Sequence, residues 1–320
     1  MTIGLPTGQV EQLEAHEFVP TPDTATATGG EALSTGGMAR QFWLVFSENK
    51  LALVGVGVII FFVLFCFLGP VFYATNQTNA QNALLYSTQD APPSAAHLFG
   101  TDPSGFDVLG RVMYGGQTSL EVGFAAAAIA TVIGVIWGAV SGFFGGWVDA
   151  VMMRIVDVFL SVPLLFLLIV LAVIFHSSLP LLILVIGFVA WLVPARLVRG
   201  ETLSLRVREY VQAVRVMGGT GRRIVFRHII PNTIGTIVVN TTFILADAIL
   251  LLAALGFIGL GVPLPATDWG SMLAQGVNYA LNGYWWQIYP TGFAIVAVVV
   301  AFNFIGDAMR DAFEVRLQRR

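Results

Sequence analysis

Long apolar stretches separated by short polar segments occupy most of the chain after residue 50. A helix needs about 20 predominantly apolar residues to cross the hydrocarbon core of a bilayer, so each long stretch predicts a membrane span. Polar residues at 176–178 and a following proline divide one stretch in two, which predicts a helical hairpin. The predicted spans are Leu51–Tyr73, Leu120–Phe144, Ile155–Phe175, Leu179–Val198, Ile234–Ala254 and Ile288–Gly306. The pattern therefore predicts an all-α, polytopic membrane protein with six transmembrane helices.

The segment that follows the fifth predicted span, Leu255–Pro265, is also apolar, but it contains three glycines and two prolines. Proline removes a backbone donor and disrupts a helix, so a regular helix is not expected here. Irregular backbone at membrane depth is tolerated where it is buried in protein or lines a cavity. The sequence predicts such a broken segment.

Composition agrees with a membrane protein and excludes several kinds of chemistry. Charged residues make up 11% of the 320 residues, hydrophobic residues 56%, and the mean hydropathy is +0.80; soluble domains carry about 25% charged residues. The only lysine, Lys50, follows Asn49, whereas a Walker A phosphate loop needs a lysine after glycine. The only cysteine, Cys66, excludes a disulfide framework, a zinc cluster and a CxxC pair within the chain. We expect no catalytic residue, cofactor site or metal site, and hence no enzyme.

The basic residues predict the orientation of the helices, because cytoplasmic loops carry an excess of Lys and Arg. With the N-terminus inside, 15 of the 16 basic residues fall on the inner side, and Arg111 is the exception. Both termini are therefore predicted in the cytoplasm. Residues 40–320 form the predicted six-helix domain, with 74–119 and 255–287 outside the cell and 199–232 inside it.

Residues 1–39 contain five acidic residues and no basic one. Their composition, with scattered Thr, Gly and Pro, predicts a disordered cytoplasmic tail. The tail lacks the basic start of a signal peptide, so the first helix is the expected insertion signal. A docking role and a plain solvated extension both remain open for it.

The loop 199–232 carries seven arginines and two glutamates. It is longer than the 2–8 residues typical of helix connections, and it predicts two short helices, Glu201–Met217 and Arg222–His228, separated by a glycine pair. Tyr210, Val214 and Met217 have the spacing of an apolar stripe on the first of these helices. Such a helix lies either in the groove of a partner protein or on anionic lipid, and the pattern does not distinguish the two.

The order of residues in this loop resembles the EAA loop in the membrane subunits of bacterial ABC importers. That family has Glu-Ala-Ala, three residues, Gly, nine residues, and then Ile-x-Leu-Pro. This chain has Gln212-Ala213-Val214, three residues, Gly218, nine residues, and then His228-Ile-Ile-Pro231. The glycine and the proline keep the spacing of the family, while Gln212 and His228 depart from its pattern.

Further stretches resemble the C-type permease subunits of dipeptide, oligopeptide and nickel importers, in matching order and spacing. They are His97–Gly115, Gly142–Asp149, Leu255–Gly270 and Ala301–Asp307. Phe106 stands where that family commonly has arginine. The resemblance extends from about Arg40 to the C-terminus.

The resemblance implies a type I ABC importer transmembrane domain in the bacterial cell (plasma) membrane. It implies a heterodimer with a second permease subunit, one or two ATPase subunits that hold ATP and Mg²⁺, an extracytoplasmic substrate-binding protein and membrane lipid, with no nucleic acid. Peptides are the favoured cargo, and nickel or another small solute remains open. Glu209–Gly218 would act as the coupling helix in a groove of the ATPase. The implied ATPase-coupling residues are Glu209, Tyr210, Gln212, Ala213, Val214, Arg215, Met217, Gly218, Arg222, Arg223 and Pro231.

Asp247 is an acidic residue in the middle of a predicted span, where an unpaired charge is costly, so it should face protein or water. It is either a pathway or gate residue at the interface with the second permease, or a carboxyl group satisfied by neighbouring helices. Asp157 is expected to pair locally with Arg154, three residues earlier.

Two other classes of function were weighed from the sequence. A self-contained secondary transporter predicts ion-coupling groups in several helices and no docking loop. An intramembrane hydrolase predicts HExxH, GxSxG or paired aspartates at mid-membrane depth, and the sequence contains none of these.

Overall fold

The computed structural model describes residues 43–73, 75–76, 88–175 and 177–318. The predicted acidic tail, 1–39, lies outside this part of the chain. The regular secondary structure of these residues is helical, apart from one isolated β-bridge between Thr101 and Asp107. The helices are α1 (Lys50–Phe72), α2 (Val108–Phe144), α3 (Gly146–Leu160), α4 (Leu164–Phe175), α5 (Leu179–Ala190), α6 (Leu192–Leu205), α7 (Glu209–Val216), α8 (Gly221–Ile224), α9 (Ile234–Phe257), α10 (Trp269–Ala280) and α11 (Tyr289–Gln318). A π-helical turn, Val225–Ile229, and 3₁₀ turns at Ile230–Asn232 and Trp285–Gln287 complete the order.

The prediction of an all-α membrane protein is confirmed. Five helical stretches among the described residues are long and apolar enough to cross a membrane: Lys50–Phe72, Val108–Phe144, Leu179–Leu205, Ile234–Phe257 and Trp285–Phe313. The pair α3–α4 passes the same test with a bend of 82° between its helices, and counting it as one span gives the predicted six.

Two predicted spans have the wrong shape or length. The prediction of a continuous helix over Ile155–Phe175 is wrong, because one helix ends at Leu160 and the next begins at Leu164. Pro163 lies in this break; it has no N–H to donate and disfavours helical geometry in the residue before it. The second span begins at Val108 rather than at Leu120, because the Asp107 side chain accepts a hydrogen bond from the Gly110 N–H (2.8 Å) and caps the helix there.

Helix α2 packs against α6 along a row of glycines. A Cβ atom built on Gly138 would lie 2.4 Å from the carbonyl oxygen of Ala195, and one built on Gly142 would lie 2.8 Å from Cβ of Thr202. Gly134, one turn earlier, meets Pro194 in the same way. Small residues spaced by four allow two helix backbones to approach closely in a membrane. This contact joins the helix that leads into the arginine-rich loop to the centre of the molecule.

A network of polar contacts covers the opposite end of α2. Arg111, the single basic residue predicted outside, is buried and donates to Asp102 Oδ2 (2.5 Å) and to Thr267 Oγ1 (2.9 Å). Asp268 is also buried, and its carboxylate accepts hydrogen bonds from the N–H groups of Val262 and Ser271. The backbone after α9 therefore folds around Asp268, and the predicted irregular segment begins at Ile258, since α9 continues through Phe257.

Candidate partner-docking site

The arginine-rich loop leaves α6 at Leu205 and starts a separate helix, α7, at Glu209. The prediction of one continuous helix over Glu201–Met217 is therefore wrong. Arg206 explains the break: its Nη1 donates to the carbonyl oxygen of Gly142 at the end of α2 (3.0 Å), and its own carbonyl accepts from Gln212 Nε2 (3.1 Å). The Gln212 side chain thus donates to the Arg206 carbonyl, which a backbone N–H would bond in a continuous helix. The helix therefore ends here, and α7 can point away from α6.

The inner face of α7 is fixed to the membrane domain. Val211 is completely buried in a cluster with Phe143, Ile224 and Ile229. The Arg215 guanidinium lies 5.6 Å from the centre of the Phe143 ring, in a cation–π contact. Phe143 belongs to the last turn of α2. Packed side chains therefore connect α7 directly to the end of α2.

The outer face of this region is apolar and exposed. Val216 is 87% exposed, Met217 76%, and Val207 66%, and Tyr210 is also exposed. We call these four residues the docking surface. Partial burial raises the pKa of the Tyr210 hydroxyl above its ordinary value. Contiguous exposed apolar side chains mark protein or membrane contacts.

The predicted apolar stripe is divided between the two faces. Val214 packs against the internal cluster, whereas Tyr210 and Met217 lie outside. Sequence reasoning missed Val207 and Val216, because neither has the spacing of the stripe. Val207 lies between α6 and α7, and Val216 is the last residue of α7, so the helix boundaries are the only feature that could have indicated them.

The turn after α7 has a defined geometry. Gly218 has φ +80° and its N–H donates to the Arg215 carbonyl (3.0 Å), while the Gly219 N–H donates to the Val214 carbonyl (2.9 Å). This is a Schellman motif with glycine in the left-handed position. A Cβ built on Gly218 would meet nothing within 4 Å, so the glycine is required for its backbone angle and leaves its outer side open to a partner.

Beyond the turn, three arginines surround an open depression of about 550 Å³. Its lining residues are Thr220, Arg222, Arg223, Phe226, Arg227 and Pro231. All three arginines are exposed, and none forms an ion pair with an acidic residue in the described ranges. The depression therefore carries a concentrated positive charge that this part of the chain does not neutralise.

Other arginines of the region have partners within the protein. Arg199 donates to both oxygens of Asp149 (2.5 and 2.6 Å), a bidentate pair between α6 and α3. Arg196 pairs with Asp157, also between α6 and α3. The predicted pair of Asp157 with Arg154 is therefore wrong, because the neighbouring helix supplies a closer guanidinium. These pairs connect α6 to α3 at the base of the loop, and Arg222, Arg223 and Arg227 take no part in them.

Asp247 lies far from this loop. It occupies the middle of α9, about 20 Å along the helix axis from Ile234. The structure thus gathers the predicted coupling residues at one end of the molecule and separates Asp247 from them. Of that set, Glu209, Tyr210, Gln212, Ala213, Arg215, Met217, Gly218, Arg222, Arg223 and Pro231 are exposed, and Val214 is half-buried.

Two family models match this chain. Residues 99–319 match the binding-protein-dependent transport system inner membrane component family. Residues 37–93 match the N-terminal transmembrane domain of oligopeptide transport permease C. Both matches agree with the resemblance found in the sequence, and the first includes the arginine-rich loop and α9.

Curated relatives cover almost the whole chain. The oligopeptide transport system permease protein OppC of Bacillus subtilis is 39% identical over 304 residues, which is 93% of this chain and 97% of the relative. The dipeptide transport system permease protein DppC of the same organism is 38% identical, over 88% of this chain and 86% of its own length. OppC of Escherichia coli K12 is 40% identical, over 84% of this chain and 88% of its own length. These similarities extend well beyond the loop.

Proposed function

The chain belongs to the family of binding-protein-dependent transport system inner membrane components, and from this premise we propose that it forms half of the translocation pathway of an ATP-driven peptide importer. It is a multi-pass protein of the bacterial plasma membrane. A second permease subunit completes the pathway as a heterodimer. One or two ATPase subunits supply the energy, with ATP and Mg²⁺ bound there, and an extracytoplasmic binding protein delivers the cargo.

The proposed cargo is a di- or oligopeptide. The names of the relatives support this choice, since they are oligopeptide and dipeptide permeases that match 84–93% of this chain. Nickel or another small solute is the alternative within the same architecture. The nature of the cargo does not affect the argument for coupling, which rests on the loop.

The observation that carries the coupling proposal is the docking surface. Its residues stand on and beside a helix whose opposite face is buried against the end of α2, with Val211 completely inaccessible. An apolar helix face that is exposed outside the membrane fits a groove in another protein. When two ATPases close on ATP, a helix seated in such a groove moves as a rigid body and carries α2 and α6 with it.

The three exposed arginines around the depression strengthen this association. Complementary charge raises the association rate and selects the correct partner. We propose that Arg222, Arg223 and Arg227 face an acidic rim on the ATPase, beside the groove that receives α7. The loop lies in the cytoplasm in this proposal, as the distribution of arginines predicts.

A self-contained secondary transporter is the competing class. Such a protein has no ATPase that could cover an exposed apolar helix. The docking surface would then lower the solubility of the loop without serving a function. Purification distinguishes the two classes. A tagged chain, expressed in its native host and extracted in mild detergent, should retain an ATPase and a second permease. Recovery of the chain alone, in a form that still transports, would contradict the proposal.

A further inference from the structure

Asp247 is exposed on the surface of this chain although it lies deep in a span. It is about 20 Å along the axis of α9 from Ile234 and about 15 Å from Phe257. Among the described residues, no hydrogen bond or ion pair to its carboxylate is formed. The described structure therefore does not support the interpretation that neighbouring helices of the same chain hydrogen-bond the Asp247 carboxyl group. A mid-membrane carboxylate facing outward requires water or another molecule beside it.

Two polar residues share a face of α9 with Asp247, between Asp247 and the loop end of the helix. Thr236, Asn240 and Asp247 have the spacing i, i+4 and i+11, so they lie on one face of the helix. Thr236 donates to Glu201 on α6. The Asn240 Oδ1 atom has no hydrogen-bond partner within the described chain. Beyond Asp247 the same face continues with Leu250, which is exposed and apolar. The loop side of this face therefore carries two polar residues, Thr236 and Asn240, with the half-buried Phe243 between Asn240 and Asp247.

A second acidic residue provides a contrast. Gln117 donates to the Cys66 carbonyl (2.7 Å) and Met113 contacts Gly69, so α1 and α2 run antiparallel. Glu121 then lies about 6 Å further toward the loop, near the middle of α1. Glu121 is exposed, but the residues that follow it on the same face of α2, toward the loop, are all apolar: Phe124, Ala128, Val132 and Ile136. Glu121 thus lacks the polar approach that Asp247 has.

We propose that Asp247 lies on the wall of the water-filled pathway and attracts the N-terminal ammonium group of the peptide cargo. The inference rests on the proposed function and identifies the chemistry by which this chain contacts its substrate. Every peptide with a free N-terminus carries this cation, so one carboxylate serves cargoes with different side chains. The two polar residues on α9 hydrate the ammonium on the loop side, and the apolar residues beyond Asp247 limit leakage when no cargo is present.

Accessibility of position 247 to water is tested by cysteine labelling. Cys66 is completely buried, and a Cys66→Ala chain provides a cysteine-free background. Asp247→Cys and Glu121→Cys are introduced singly, and the assembled complex in inside-out membrane vesicles is treated with a charged, membrane-impermeant thiosulfonate. We expect labelling at position 247 that is at least about tenfold faster than at 121, in line with the cost of bringing a charged reagent to an apolar face. No labelling at 247, or equal rates at both positions, would overturn the proposal.

The role of charge is tested by transport. Complexes with Asp247→Asn, Asp247→Glu or the native residue are reconstituted with the ATPase and the binding protein. Uptake of trialanine is compared with that of N-acetyl-trialanine, each normalised to its affinity for the binding protein. One charge pair about 4 Å apart in a water-filled path is worth about fivefold in affinity, so Asp247→Asn should lower trialanine uptake about fivefold. Uptake of the acetylated peptide should not change, and Asp247→Glu should retain the preference.

The outcomes separate this inference from the proposed function. Equal loss of both peptides in Asp247→Asn, or loss of the second permease during purification, would assign Asp247 to a subunit contact and overturn the inference alone. A native complex that neither retains an ATPase nor imports either peptide would overturn the proposed function itself.

Discussion

The backbone N–H of Gly219 donates to the carbonyl oxygen of Val214 at 2.9 Å and closes the last turn of α7 around Gly218. This bond fixes the backbone at the end of α7. Val216 and Met217, which lie in sequence between the two bonded residues, remain exposed. The proposed coupling role requires a rigid end, because a frayed helix would absorb the movement of the ATPase.

Replacement of Gly218 by aspartate should uncouple transport from ATP hydrolysis or dissociate the ATPase. A residue with a side chain at φ +80° costs about 1–3 kcal/mol, and the new carboxylate would enter the face turned to the partner. The measurements are peptide-stimulated ATPase activity and retention of the ATPase on a tagged chain. Gly57→Ala, in α1, is the matched control, because its Cβ would also meet nothing within 4 Å but its φ is helical. Unchanged coupling in Gly218→Asp would contradict the assignment.

Val216→Asp should weaken binding of the ATPase by at least about tenfold, because it places a charge in the proposed interface, where a hot-spot side chain contributes about 2 kcal/mol or more. The isolated chain should keep its thermal stability, since Val216 makes little contact within it. Leu281→Asp is the control: Leu281 is 96% exposed and lies just after α10, far along the chain from the loop. Binding is measured with purified ATPase and the chain in nanodiscs. Equal effects of the two substitutions would show that added charge alone, and not the docking surface, is responsible.

The membrane spans could be predicted from sequence because their signal is local: a run of apolar residues reports its own environment. The breaks at Ser161–Pro163 and at Arg206 were predicted less well. Pro163 is visible in the sequence, but the break at Arg206 depends on the Gly142 carbonyl, which is 64 residues away in the chain. No pattern around Arg206 encodes that contact.

The candidate site shows the same limit. Spacing indicated an amphipathic helix near Tyr210, but which face is buried depends on Phe143, in another helix. Asp157 pairs with Arg196, 39 residues away, instead of with its neighbour in sequence. The spacing to Gly218 and Pro231 identifies the residues of the loop as a group, and their coupling role stays a prediction. Their division into an inner and an outer face required the structure.

The charge around the open depression predicts a salt-dependent association. Changing Arg222, Arg223 and Arg227 together to glutamine should weaken binding of the ATPase and should reduce the sensitivity of that binding to salt. Exposed charges are screened beyond about 8 Å at physiological ionic strength. Binding is measured in neutral-lipid nanodiscs between about 50 and 500 mM salt, roughly one third to three times the physiological ionic strength.

The same variant separates a protein partner from a lipid surface. If the arginines bind anionic lipid instead, the triple glutamine variant should bind the ATPase normally in neutral nanodiscs and differ from the native chain only when anionic lipid is included. That result would remove the arginines from the docking site while leaving α7 in it.

The buried pair at the far end of α2 predicts a large effect on stability. Arg111 and Asp102 are both buried and 2.5 Å apart, and Asp102 also accepts the N–H groups of Ser104 and Phe106. Asp102→Asn should destabilise the chain by about 3–5 kcal/mol, because it leaves the Arg111 guanidinium buried without a counter-charge. Thermal unfolding of the detergent-solubilised chain measures the effect. Arg111→Met combined with Asp102→Asn should recover part of the loss, since it removes the uncompensated charge. If the double variant is less stable than Asp102→Asn alone, the cost arises from the hydrogen bonds of Arg111 to Thr267 and Gln275, and not from the buried charge.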